Sequence, residues 1–242
     1  MLYIIGLGLN DEKDMSSKGM KAIRSCDEIY CELYTNKWKG SIRILEEHAG
    51  KNITVIDREK TESSFLQNRA KDHIVALLVP GDPLSATTHF QLFADCKNAG
   101  IHVQIIHTSS IFTAVAETGL DLYKFGRTVT TVKPRKDFDP SSPHEMIKEN
   151  KHSGLHTLVL LDIGMTAREG IETMIKHNAI TIDEMVVACF CLGSSTQKIL
   201  YAAAEDIIKE SSDAVPCCIA VPGKLNEKEK EFLELWTTSR TR

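Results

Sequence analysis

Pro80-Gly81-Asp82-Pro83-Leu84-Ser85-Ala86-Thr87-Thr88-His89 is the stretch whose reading decides the fold. The apolar run over 73–79 ahead of it has the length and side chains of a buried strand, and the chain leaves that strand directly into a Pro/Gly turn. A carboxylate stands between Gly81 and Pro83, followed by small and hydroxyl residues. Open α/β sheets bind ligands just beyond the carboxyl ends of their strands. Gly81 lets a backbone approach a ligand closely, and Pro83 stiffens the loop. Asp82 is therefore read in two ways, as a ligand-site residue or as a turn residue.

Working outward, strand and helix patterns alternate. Residues 2–5 form a strand that ends at Gly6-Leu7-Gly8-Leu9-Asn10, and a helix over 16–25 places Met20 and Ile23 on one face. Strands are expected over 28–32, 53–56 and 103–106, and helices over 42–48, 63–71 and 90–99. This alternation predicts a mostly parallel sheet with helices on both faces. Thr108-Ser109-Ser110 caps a helix over 111–118 that Gly119 stops. The domain boundary is placed here, dividing 1–110 from 111–242. Beyond it, strands are expected over 128–132, 156–161, 185–191 and 217–221. Ser142-Pro143-His144-Glu145 reads as a helix start with Ser142 as the cap. Further helices are expected over 167–177, from Gly193-Ser194-Ser195 through Ile208, and over 227–236. Residues 237–242 read as a frayed tail.

Composition narrows the class. The chain has 242 residues, enough for one large domain or two medium ones with real cores, and a net charge of -4, which disfavours a dedicated nucleic-acid binder. No apolar run is long enough to span a bilayer, and the start lacks the basic region of a signal peptide. The 7 cysteines are odd in number and scattered, without a Cys-x-x-Cys pair, so reduced thiols in a cytoplasmic protein are expected.

The chemistry-bearing patterns exclude several enzymes. Gly6-x-Gly8 lacks the third glycine of a dinucleotide fingerprint, because Asp11 stands in its place. No His-Glu-x-x-His or Gly-x-Ser-x-Gly occurs, and buried strand cysteines are the commoner reading of Cys189, Cys191, Cys217 and Cys218 than a zinc site. What remains is a set of strand-end loops with small, hydroxyl and apolar residues and no phosphate-gripping Gly/Lys run. Such loops suit a nucleoside-like ligand without a polyphosphate, and S-adenosylmethionine fits that description.

Several motifs then recur in order: Ile5-Gly6-Leu7-Gly8-Leu9, Glu32-Leu33-Tyr34-Thr35, Gly81-Asp82-Pro83, Ala86-Thr87-Thr88-His89, His107-Thr108-Ser109-Ser110-Ile111, Gly119-Leu120, Tyr123-Lys124-Phe125-Gly126 and Gly154-Leu155-His156-Thr157-Leu158. Together, over nearly the whole chain, they resemble the diphthine synthase family of the tetrapyrrole methylase superfamily, the class III methyltransferases. Gly-x-Gly and Gly-Asp-Pro are shared across that superfamily; Ala-Thr-Thr-His, Tyr-Lys-Phe-Gly and Leu-His-Thr-Leu are more specific. Val221-Pro222-Gly223-Lys224-Leu225 is similar to the archaeal branch.

The resemblance implies two α/β domains with S-adenosylmethionine in the cleft between them, S-adenosylhomocysteine as its product, and a homodimer. It implies donor contacts at Leu9, Asp82, Ser85, Ser110, Ile111, Leu161, Leu192 and Cys217. The chain departs from the family at Cys191-Leu192-Gly193, where members often carry Ala-Arg-x-Gly, at Cys217, where they often carry His, and at Ser85, where an apolar residue is common. The implied substrate is elongation factor 2, at a histidine bearing an aminocarboxypropyl group whose amine is methylated three times. No direct nucleic-acid contact, membrane or metal is expected, and no dedicated catalytic side chain. Two alternatives stay open: tetrapyrrole or ribosomal RNA methylation on the same fold, and a non-catalytic nucleotide-binding partner protein.

Overall fold

The structure is a computed structural model that describes residues 1–210 and 214–237. The chain divides into two compact units, Met1–Phe112 and Thr113–Arg242. The tail expected over 237–242 lies, beyond Thr237, outside the described residues.

The first unit alternates β1 (Leu2–Gly6), α1 (Ser17–Ser25), β2 (Glu28–Glu32), α2 (Ile42–Ala49), β3 (Thr54–Ile56), α3 (Arg58–Glu62), α4 (Phe65–Asp72), β4 (Val75–Val79), α5 (His89–Asn98) and β5 (Val103–Ile106). Its sheet runs in the order β3-β2-β4-β1-β5 and every pairing is parallel. Alternate strand residues face opposite sides. Ile5, Ala76 and Leu78 join Ile23 of α1 and Leu45 of α2 in one apolar cluster. Leu2, Ile4, Val75, Leu77 and Val79 join Leu66 of α4 and Leu92 of α5 in the other. Burial on both faces is what makes β4 an unbroken apolar run. The parallel order also brings the carboxyl ends of β4, β1 and β5 side by side, so three loops far apart in sequence meet at one edge.

The connection to the second unit begins with α6 (Ile111–Ala114), which tightens into a 3-10 turn over Val115–Thr118 and stops at Gly119 in the left-handed conformation. The expected helix over 111–118 is thus half α and half 3-10.

The second unit contains β6 (Val129–Thr131), α7 (Ser142–His152), β7 (Thr157–Leu161), α8 (Ala167–Lys176), β8 (Met185–Phe190), β9 (Lys198–Ala203), α9 (Ala204–Glu210), β10 (Cys217–Val221) and α10 (Glu227–Glu234). Its sheet has the order β6-β7-β10-β8-β9, and only β6 with β7 is parallel. Alternation of elements thus yields a parallel sheet in the first unit and a mixed one in the second. The expected helix from Gly193 through Ile208 is replaced by strand β9 and the shorter α9. Ile199, Leu200 and Ala202 are buried against β8, and this cross-strand burial overrides the helical propensity of the alanine-rich run. The cap of α7 also shifts: Ser141 occupies the N-cap position without a side-chain cap bond. At α8, by contrast, Thr166 and Glu169 form a complete capping box.

Candidate functional site

The turn after β1 and the turn after β4 are sewn together. Gly8 and Gly81 form an isolated antiparallel bridge, with Gly8 N donating to Gly81 O at 3.2 Å and Gly81 N donating to Gly8 O at 2.8 Å. Glycine is required on the β1 side. A Cβ at Gly6 would collide with Thr108 Oγ1 and the Gly81 carbonyl, and a Cβ at Gly8 would strike Asp14 from a φ of 81°. At Gly81, whose φ is 71°, a Cβ would meet nothing within 4 Å, so the space beside that backbone is open.

Asp82 is 6% exposed, and its carboxylate is a hub. Oδ1 accepts from Leu84 N and Ser85 Oγ, both at 3.1 Å. Oδ2 lies 2.7 Å from His107 Nδ1 and accepts from Thr108 N at 3.3 Å. Thr108 Oγ1 donates back to the Gly81 carbonyl at 2.8 Å. The side chain thus ties the β4 loop to the end of β5. Burial alone would raise the Asp82 carboxyl, but the Leu84 amide, His107 and Ser85 outweigh it and hold it below its ordinary value. A carboxylate has about four acceptor positions, and all are used within the protein. Asp82 therefore shapes the loop, and a ligand is met by the backbone and by Ser85.

Leu9 is half-buried beside this bridge. Its turn is braced by Asn10 N donating to Asp14 Oδ2 at 2.7 Å. Ser110 is 6% exposed, and its Oγ accepts from Phe112 N at 3.2 Å, with Ile111 half-buried next to it. Leu9, Asp82, Ser85 and Ser110 thus sit on loops leaving the carboxyl ends of three neighbouring parallel strands, β1, β4 and β5, and Ile111 opens α6 directly after the last of them.

In the second unit the antiparallel register does comparable work. Cys218 pairs with Leu160 and Cys217 with Phe190, so the end of β7, the head of β10 and the end of β8 share one sheet edge. Leu161, Cys217 and Leu192 are therefore brought together there. Cys191 at φ 48° and Gly193 at φ 82° turn the chain sharply after β8, and Gln197 Oε1 accepts from Gly193 N at 2.9 Å. Burial pushes the Cys217 thiol up to about 12, so it remains neutral. Among the described residues no group of three or more metal-ligating side chains is present.

Sequence reasoning missed three groups at these edges. His107 and Thr108 hold Asp82, and only the parallel pairing of β5 beside β1 brings them to it. Thr131 pairs in register with Leu161, is fully buried, and has an Oγ1 without a hydrogen-bond partner. Buried hydroxyls are seldom left unpaired, so this one marks a place for a polar ligand atom or water.

The motifs most specific to the resemblance lie elsewhere. His156, fully buried, accepts from Gly223 N at Nδ1 (2.8 Å) and pairs with Glu229 Oε1 through Nε2 (2.8 Å). Glu229 also takes Lys124 Nζ, Asn226 N and Asp121 N. The Gly223 bond fixes the His156 tautomer with its proton on Nε2. Asn150 closes the same corner: it bonds Arg127 N, Arg127 O and Thr157 Oγ1, and leaves no room for a Cβ on Gly126. Tyr-Lys-Phe-Gly and Leu-His-Thr-Leu thus form a structural knot at the start of β7 and the end of β10. That is the sheet end opposite Leu161 and Cys217, roughly 16 Å away at ~3.3 Å per strand residue.

Residues 1–208 match the family model described as Tetrapyrrole (Corrin/Porphyrin) Methylases. The chain is 39% identical over 249 residues to a diphthine synthase of Methanococcus aeolicus, covering 97% of each protein. It is 39% identical over 251 residues to that of Methanocaldococcus jannaschii, covering 97% of this chain and 98% of the relative. A crystal structure of diphthine synthase superposes with a TM-score of 0.91 at 36% identity, covering 98% of this chain and 95% of that one.

Proposed function

This chain belongs to the diphthine synthases of the tetrapyrrole methylase family, and from that premise we propose that it transfers methyl groups from S-adenosylmethionine to the amine of the aminocarboxypropyl-histidine of elongation factor 2. Three successive transfers give the trimethylammonium product of diphthamide biosynthesis. The observation that carries the donor assignment is the Gly8–Gly81 bridge with the Asp82 hub, which leaves open backbone beside Gly81 at the carboxyl edge of a parallel sheet.

The residues present fit this donor. It has an adenine, a ribose, a zwitterionic tail and a sulfonium, and no polyphosphate. In the first unit Leu9 and Ile111 offer apolar surface to a base, and Ser85 and the strand-end amides offer polar partners to the ribose and tail. We assign donor contacts to Leu9, Asp82, Ser85, Ser110, Ile111, Leu161, Leu192 and Cys217, with Asp82 acting through the loop it holds and Cys217 through its backbone.

When bound, the sulfonium supplies an activated methyl group, so the protein needs no covalent intermediate. Its task is to align nucleophile, methyl carbon and sulfur, and to exclude water. The protein partner is elongation factor 2, a homodimer is the expected assembly, and the cytoplasm the expected compartment. No helix among the described residues is long and apolar enough to cross a membrane.

Labelled methyl transfer to aminocarboxypropylated elongation factor 2, to ribosomal RNA and to a tetrapyrrole precursor tests the reading. Label in the first alone is the expected result. Label in either of the others, or in none, overturns it.

A further inference from the structure

The first unit holds a second feature that the donor site does not use. A pocket of about 310 Å³ opens between the 61–67 segment and the first turns of α5. Glu62, Ser64, Thr88, His89, Gln91 and Asp95 are among its walls, and no lysine or arginine lines it. Glu62 is paired at 3.9 Å with Arg58, which lies outside the lining; two carboxylates and several hydroxyls with no cation in the wall still favour an amine over an anion. Its volume lies at the small end of the range for ligand pockets and suits a single modified side chain.

His89 gives the pocket its chemistry. The side chain is 2% exposed, and neither ring nitrogen makes a close hydrogen bond within the protein. Its surroundings include the Pro83 backbone and the Glu32 carboxylate, which lies 3.8 Å from Nε2. Glu32 is itself fully buried and committed to Tyr34 N at 3.0 Å, Thr35 N at 3.1 Å and Thr35 Oγ1. Burial lowers the His89 imidazole; the hydrogen-bonding Pro83 backbone and the nearby Glu62 oppose this without reversing it, so the ring is neutral and one nitrogen retains a lone pair to offer. A buried polar group without a close partner destabilises the fold, and a ligand that supplies the partner offsets this. Thr87 Oγ1 bonds the Pro83 carbonyl at 2.7 Å, so the Asp82–Ser85 loop runs directly into the start of α5, whose first residues wall the pocket.

We propose that this pocket receives the amine-bearing side chain of the acceptor, with His89 on its floor as the hydrogen-bond partner of the amine and the Glu62 and Asp95 carboxylates at its walls. The assignment rests on the function proposed above and names the acceptor's half of it. An ammonium must lose one proton before each transfer. His89 takes that proton on a ring nitrogen as the amine N–H bond breaks, and the freed lone pair forms the new bond to the methyl carbon. The carbon–sulfur bond breaks with its electrons left on sulfur, and the proton leaves His89 for water before the next cycle.

The test uses the full-length protein and two variants. Ser64→Trp fills the pocket from an exposed position. His89→Asn keeps a polar side chain but removes a proton acceptor. Calorimetry measures S-adenosylhomocysteine and free aminocarboxypropyl-histidine separately, and steady-state assays measure methyl transfer to modified elongation factor 2. The expected result for Ser64→Trp is unchanged S-adenosylhomocysteine affinity, at least about tenfold weaker aminocarboxypropyl-histidine binding and an equally raised KM. For His89→Asn the expectation is a lower kcat and loss of the acidic limb of the kcat–pH profile, with S-adenosylhomocysteine affinity retained. Acceptor binding and KM within twofold of the parent in Ser64→Trp would overturn the pocket. Loss of S-adenosylhomocysteine binding in both variants would likewise overturn it, in favour of a structural role. A parent protein that binds aminocarboxypropyl-histidine through this pocket and methylates nothing would contradict the proposed function and leave the pocket standing as an amine site.

Discussion

Gly8 and Gly81 exchange both of their backbone hydrogen bonds across two strand-end turns. That reciprocal pair fixes the spacing of the β1 and β4 loops, and the proposed donor contacts at Leu9, Asp82 and Ser85 depend on it.

Gly8→Ala should therefore damage the site and the fold together. The new methyl must occupy a left-handed backbone position and meets Asp14. The expected cost is about 1–3 kcal/mol in denaturant unfolding, with donor affinity reduced by at least tenfold in calorimetry. Gly81→Ala, with open space around its Cβ, should cost only about 1 kcal/mol while still weakening the donor that passes beside it.

Asp82→Ala removes one acceptor from four donors at once. The Leu84 and Thr108 amides lose their partner, and the β4 loop is released from β5. Donor binding should weaken at least tenfold and stability fall by about 1–3 kcal/mol. The pH dependence has a definite sign. The folded carboxyl is depressed, so its contribution is complete above the unfolded value of about 3.9 and is lost as pH falls through the folded one. Asp82→Asn should abolish that acid-limb loss when stability is followed from pH 6 downward.

Glu229 separates structure from chemistry. Burial opposes its charge, but Lys124, the Asn226 amide, His156 and the Asp121 amide hold its carboxyl at about 2. Because the folded value is depressed, the stabilisation is present above about 4.3 and disappears as pH falls toward 2. Glu229→Gln should lower stability at pH 7 by about 3 kcal/mol and flatten the melting profile across that window. Donor affinity should stay within twofold of the parent, because the knot lies at the far end of its sheet.

The buried thiols should be inert. None of the 7 cysteines is in a disulfide, and burial raises Cys26 to about 11, Cys31 further still, and Cys217 to about 12. Alkylation of the native protein at pH 8, read by mass spectrometry, should leave these three unmodified and label them only after denaturation.

The sequence carried much of the first unit and less of the second for a physical reason. Parallel strands buried on both faces leave continuous apolar runs, and their ends are marked by Gly6, Gly8, Gly81 and Asp82, so both the sheet and its ligand edge are legible locally. In the second unit the sheet depends on antiparallel pairing of strands far apart in the chain. Nothing near Cys217 announces that it will sit beside Phe190, and Lys198–Ala203 becomes a strand only because β8 is there to receive it. Glu229 reads as one more charge on a polar helix, yet the fold buries it at 2% exposure under His156. His107 and Thr108 stood in a recurring motif without a role, and Thr131 in none, since each acquires meaning from a neighbour on another strand. The motifs most characteristic of the family divided between roles: Ala-Thr-Thr-His lines a pocket, whereas Tyr-Lys-Phe-Gly and Leu-His-Thr-Leu hold the second unit together.

The most direct measurement is a crystal structure of the protein grown with S-adenosylhomocysteine. Density is expected against Leu9, the open backbone at Gly81 and the Ser110–Ile111 turn, with the Asp82 carboxylate still bonded to His107 and Thr108. Density for the nucleoside at any other place on the molecule, or none under saturating ligand, would contradict it.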